Sequence, residues 1–158
     1  MCDMCDGMSK TEQLRHVQEI IDEHGVAVCY VEDNDPQKCF GYTVGLTPHN
    51  AQEFLVRGMN HEDTSLMLNG FADSVLERGE HFDHGHTANW RDGRILHFNH
   101  MRGAREFACD AFNLYGPRAR VLEIHFAQPG MPAGAGSVEY RNLALVLADA
   151  RLLPQQLH

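Results

Sequence analysis

Hydrophobic positions along the chain recur first at a three-to-four-residue period and then at a period of two, and the switches between them lay out alternating helices and strands. Leu14, Val17, Ile20, Ile21 and His24 follow helical spacing behind Ser9-Lys10-Thr11-Glu12, whose Ser and Glu have the separation of a capping box; Gly25 supplies the stop. Residues 26–31 then read as a strand, Asp33-Asn34-Asp35-Pro36 as a turn, and residues 39–46 as the returning strand of a hairpin ended by Thr47-Pro48. Residues 53–59 predict a third strand. Asn60 predicts the cap of a helix that runs through Leu66, Leu68, Phe71, Ala72, Val75 and Leu76 to about Gly79. Asp92-Gly93 is a two-residue hairpin signal joining residues 88–91 to 94–98. Phe107, Ala108, Ala111, Phe112 and Tyr115 mark one face of a further helix closed by Gly116-Pro117, and Leu122, Ile124 and Phe126 alternate as the inward face of a strand.

Strands interrupted by helices, with at least two hairpins, predict an α+β fold with a mainly antiparallel sheet packed by three or four helices, in preference to a doubly wound parallel sheet. At 158 residues, with no internal repeat or linker, the expectation is one domain over 1–158. Residues 128–137 are Pro/Gly/Ala-rich, and residues 138–153 fit either a final helix or a strand, helix being preferred. Residues 128–158 are therefore expected to be the variable part, a tail free to move.

Charge narrows the classes of partner. The net charge is −9, with 22 acidic residues against 13 basic ones, and the two Lys and 11 Arg are scattered singly along the chain. Without a basic stripe such a surface repels phosphate backbones and anionic membranes, so nucleic acid and membrane are both expected not to be partners. The first residues form no basic and apolar leader, and no run approaches the length needed to span a bilayer, so the expected compartment is the cytoplasm. Five cysteines without a regular framework point to reduced thiols or metal ligands.

Two groups of residues could carry metal chemistry. Cys2 and Cys5 form a Cys-x-x-Cys knuckle, a spacing that serves a soft metal ion, a dithiol–disulfide couple or two exposed thiols. Zinc needs two further ligands; candidates are His16 and the hairpin thiols Cys29 and Cys39, which the turn could bring opposite each other, giving a four-thiolate set of Cys2, Cys5, Cys29 and Cys39. The second group is His81, Asp83, His84 and His86, joined across the predicted hairpin by His97 and His100, donors suited to Zn, Ni or Fe or simply solvated loop histidines. Within it, His84 and His86 point to one face of an extended chain and could chelate. Gly41, Thr43 and Gly45 alternate beside Tyr42, leaving room for a close neighbour that is either a packed backbone or a small ligand near Tyr42 and Trp90. The Gly130, Gly134, Gly136 loop lacks the Lys-Ser/Thr of a phosphate cradle. Gly-x-Ser-x-Gly, zincin, Walker and dinucleotide signatures are all missing.

Met1-Cys2-x-x-Cys5-Asp6, His24-Gly25, the strand Tyr42-Thr43-Val44-Gly45-Leu46 and the helix feeding Leu68-Asn69 to Gly79 together resemble a bacterial family of small proteins known only as a domain of unknown function. The resemblance covers about the first 85 residues, extends loosely to Tyr115-Gly116 and residues 121–124, and fails over the last 30. It implies a fold neighbourhood and no activity. A weaker likeness, through the helix and Gly-containing turn at residues 75–85, is to Suppressor of fused domains, and it implies a protein-binding module. The reading that follows is an interaction or regulatory module with a protein partner and a zinc-type knuckle at its N-terminus. The alternatives are a metal-dependent hydrolase or oxidoreductase built on the histidines of residues 81–100, and a small-ligand-binding domain.

Overall fold

In the computed structural model, residues 9–127 and the strand at 139–142 are described. Among the described residues, three α-helices and seven strands follow one another as α1 Lys10–His24, β1 Ala27–Val31, β2 Phe40–Val44, β3 Glu53–Arg57, α2 His61–Arg78, β4 Thr87–Asn89, β5 Ile95–His100, α3 Cys109–Tyr115, β6 Val121–Phe126 and β7 Glu139–Asn142. The strands form a mixed, mostly antiparallel sheet in the order β1-β2-β3-β6-β5-β4-β7; only the pairs β3–β6 and β4–β7 are parallel. The chain is thus α+β. Residues 139–142 pair with β4 as a strand where the sequence favours a helix, because an open sheet edge offers backbone partners that local propensity does not register. The rest of the expected tail, and the Gly130–Gly136 loop, lie outside the described residues.

The helix ends follow the residues that predict them. Ser9 Oγ accepts the Glu12 amide at 3.1 Å to start α1, and Asn60 Oδ1 accepts the Asp63 amide at 2.8 Å to start α2. Gly25 and Gly79 close them in left-handed conformations. The β4–β5 hairpin differs in detail: Trp90 and Arg94 close it through a 2.7 Å bond, leaving three loop residues with Gly93 at φ 90°. A third loop residue in the left-handed region is the common alternative to the two-residue turn.

Alternation along the strands gives the sheet two buried faces. One carries Val28, Phe54, Val56, Leu96, Phe98, Leu122 and Ile124 against Met67, Leu68, Phe71 and Ala72 of α2. The other carries Ala27, Tyr42, Val44, Leu55 and Val121 against Val17 of α1 and Ala108 and Ala111 of the α3 region. Two glycines of β2 and its exit make this sandwich close. A Cβ on Gly41 would run into Cγ2 of Thr64 on α2, and a Cβ on Gly45, at φ 132°, would lie 2.9 Å from the Gly25 carbonyl oxygen. The small residues beside Tyr42 thus serve packing. Among the described residues, no helix is long and apolar enough to cross a membrane.

Candidate functional site

The loop between α2 and β4 gathers much of the predicted histidine group, through hydrogen bonds of its own. Asp83 Oδ1 accepts the His84 amide at 2.8 Å and Gln52 Nε2 at 3.1 Å, and lies 3.3 Å from His100 Nε2; His81 Nε2 stands 3.9 Å from the other carboxylate oxygen. The His84 amide bond, with help from Gln52 and the two imidazoles, holds the Asp83 carboxyl below its ordinary pKa. Two ring nitrogens are committed as acceptors: His86 Nδ1 takes the Asp83 amide and His84 Nδ1 takes the His100 amide, both at 3.0 Å. His84 and His86 do not form the chelating pair that an extended chain would give. Gly85 lies at φ 89° between them, and His84 packs on His100 while His86 packs on His81. His97 is on β5 and stacks on His125, apart from these rings. Among the described residues, no three His, Cys, Asp or Glu side chains converge closely enough to hold a metal ion.

Cys2 and Cys5 lie outside the described residues. The hairpin does not bring Cys29 and Cys39 opposite each other: Cys29 pairs in register with Tyr42, and its Sγ faces Asp110 Oδ2 at 3.8 Å. Cys39 follows the 3-10 turn Pro36–Lys38, where its Sγ accepts the Asp33 amide at 3.3 Å. His16 is a partly buried residue of α1. Tyr42 and Trp90 are each 2 % exposed and belong to opposite faces of the sheet, so they do not border a common site. Tyr42 accepts the Asp110 amide at 3.3 Å, and burial drives its phenol well above the ordinary tyrosine value.

Glu53, at the start of β3, is wholly buried. Its carboxylate accepts the Thr47 hydroxyl at 2.6 Å, the Thr43 hydroxyl at 2.9 Å and the amides of Thr47 at 2.8 Å, Leu46 at 3.1 Å and Gly45 at 3.3 Å. One side chain thereby ties the exit of β2 to the start of β3. Burial raises its pKa and the Thr47, Thr43 and Leu46 donors pull it back down. Burial, with the Glu53 charge second, pushes the Tyr115 phenol up to about 12.

Beside this clasp a cavity of about 380 Å³ opens where β5 leaves the sheet and β6 enters it. Val121, the register partner of Glu53, forms part of its floor with Met101, Ala104, Phe112 and Ala119. Arg105 and Arg120 stand at its rim, and the Arg105 guanidinium lies over the Phe112 ring, 5.0 Å from its centre. His100 also borders the cavity, although its imidazole Nε2 is directed to Asp83. The arginines elsewhere are mostly neutralised: Arg57, Arg78, Arg91 and Arg94 pair with Glu123, Asp73, Asp63 and Asp92. Arg102, Arg105, Arg118 and Arg120, in the two segments that wall the cavity, make no ion pair among the described residues. Cations scattered singly in sequence therefore form a local positive region in an acidic chain.

Neither Glu53 nor the two rim arginines stand among the residues that sequence patterns single out. A faint signal exists for each. Glu53 is a lone carboxylate opening the apolar run Phe54-Leu55-Val56, and residues 117–122 hold two arginines with no acid between them. What joins them is the parallel pairing of β3 with β6, across 68 residues, which no local pattern announces.

No curated protein and no solved structure matches the chain, and no comparison carries the likeness to Suppressor of fused domains. A family model described as Domain of unknown function (DUF4262) matches residues 20–130. The chain, with its Tyr-Thr-Val-Gly-Leu strand and both helix-closing glycines inside that span, belongs to the DUF4262 family.

Proposed function

We propose that the chain is a binding module for a small molecule held in the cavity between residues 100–105, α3 and residues 119–121. The observation that carries this reading is the cavity itself. Its size falls in the range of roughly 300–1,000 Å³ that serves small ligands, with an apolar floor and a few polar groups at the rim, the usual composition of a ligand site. Binding is favoured over turnover by the chemistry of the lining. An arginine stays charged at neutral pH and neither gives nor takes a proton there, and the lining residues include no carboxylate or thiol to act as base or nucleophile. His100 is the single imidazole of the lining, and no lining hydroxyl or thiol stands there for it to activate. This reading moves the small-ligand site away from Tyr42 and Trp90, which are interior, and keeps the non-catalytic character expected of the sequence.

A screen of small neutral and charged fragments by protein NMR tests it. Hits should move the resonances of Met101, Ala104 and Phe112, and Ala119→Leu, which fills the floor, should remove those shifts in a protein whose melting and circular dichroism stay native. If no fragment of any charge disturbs these residues at millimolar concentration, the reading is wrong.

A further inference from the structure

Resting on that reading, we infer that the cavity selects small monocarboxylates with a compact apolar body: the carboxylate meets Arg105 and Arg120, and the body rests on Met101, Ala104, Phe112, Ala119 and Val121. Three features of the rim and floor support this class.

The first is the state of the cations. A guanidinium already bound to a carboxylate has little to offer a ligand, whereas the two at the rim carry no ion pair among the described residues, within a chain of net charge −9. They are exposed enough to remain hydrated and close enough to a low-dielectric wall for a charge-assisted bond to gain strength over one in open water. The second is the position of Arg105. Its guanidinium lies over the Phe112 ring, 5.0 Å from its centre, and both residues line the cavity, so the stacking limits its rotamers and keeps the charge at the cavity. A preorganised planar fork matches the two oxygens of a carboxylate.

The third is the floor. Ala104, Ala119 and Val121 are at most 7 % exposed and have wholly apolar side chains, so polar atoms along a ligand's body would find no side-chain partner there to replace their hydration. An anion without an apolar body would leave this surface unused. Along the chain, Glu106 next to Arg105 is the single acidic side chain in residues 101–109 and residues 117–122 hold none; in space, Asp83 is taken up by His100 and Glu53 by its five donors, so neither carboxylate pairs with a rim arginine.

Phenylacetate, phenylacetamide and inorganic phosphate separate the requirements when each is titrated into the full chain and followed by heteronuclear NMR. Phenylacetate should saturate, moving Met101, Ala104 and Phe112 together with the side-chain N–H signals of Arg105. The neutral amide and phosphate should each bind at least about tenfold more weakly, the loss expected for removing a charge-assisted pair or an apolar body. Arg105→Gln and Arg120→Gln should each weaken phenylacetate by about five- to tenfold and flatten its salt dependence, with the fold intact by circular dichroism.

If phenylacetamide binds the cavity as well as phenylacetate does, the small-molecule reading stands and the selection for anions fails. If phosphate binds as well without moving the floor residues, the arginines form a surface anion site and the proposed class is wrong. A single-stranded oligonucleotide that displaces phenylacetate at physiological salt would assign the arginines to a phosphate backbone and likewise overturn the inference. Absence of any cavity response to all of these probes and to the wider fragment set would remove both the inference and the reading beneath it.

Discussion

Two regions on opposite faces of the sheet use side chains in opposite ways. On the α2 face, Phe54, Phe71, Phe82 and Phe98 form a cluster in which all six ring pairs have centroids 5.0 to 5.9 Å apart, most of them edge to face. On the other face, around α3, the interior sets Ala104, Ala108, Ala111 and Ala119 against Tyr42, Val44, Leu55 and Val121 of the sheet, holds the polar side chains of Gln13, Glu53 and Asp110, and leaves a cavity. Interlocked rings fill volume and resist change. Small residues and buried polar groups fill less, and leave room for something else. The difference teaches that one face of the sheet is closed by interlocked rings, whereas the other is held by a polar clasp and leaves open volume beside it.

The largest effect should come from breaking the filled face. Phe98→Ala removes a ring that touches the other three and should cost about 3–5 kcal/mol, measured by urea unfolding. A loss under about 1 kcal/mol would mean that the cluster can collapse around the gap.

Next comes the polar clasp on the open face. Glu53→Ala strips the acceptor from three backbone amides and two hydroxyls in a buried place, and should cost about 3 kcal/mol by the same measurement. A variant with unchanged midpoint would show that water replaces the carboxylate, and that the two faces differ less than their side chains imply. Gly45→Ala sharpens the same point, because the methyl group meets the Gly25 carbonyl and φ 132° suits only glycine; a loss of about 1–3 kcal/mol is expected.

A smaller effect depends on pH. His97 is nearly buried and stacks on His125; burial first, and the second imidazole next, lower its pKa below 6.5. Its neutral form is therefore favoured by folding, so the stability it contributes is complete above the unfolded value and is lost as pH falls through the lowered one. His86, lowered mainly by burial, acts in the same direction. Melting temperature should decline below about pH 6.5, and His97→Gln should flatten part of that decline. A variant with the same slope would remove His97 from the account.

The smallest stability effect should be at the cavity rim. Arg105→Gln and Arg120→Gln are expected to change unfolding free energy by no more than about 0.5 kcal/mol, since both residues are exposed and neither guanidinium makes an ion pair among the described residues. A loss above about 2 kcal/mol would make the arginines part of the fold and blur the division between the faces.

Much of this was legible along the chain because it rests on local rules. Ser9, Gly25, Asn60 and Gly79 act within a few residues of themselves, and the two-residue period of β6 needs no partner to be seen. The histidine group was legible as a cluster, and its internal hydrogen bonds were not, because they depend on Gly85 turning the backbone between His84 and His86. Cys29 and Cys39 read as potential neighbours for a related reason: hairpin register follows the length and shape of the loop, here a 3-10 turn, and register set Cys29 against Tyr42.

By itself, the sequence determined the order of helices and strands as far as β6, the caps of α1 and α2, the α+β class and the acidic charge of the chain. All follow from spacings shorter than a turn or from composition. Only the tertiary structure decided which face each strand buries, that Glu53 would find five donors, and that arginines at 105 and 120 would border one cavity. These outcomes hang on β3 pairing with β6 and on α3 packing over that junction, contacts between distant segments whose energy is absent until the chain closes.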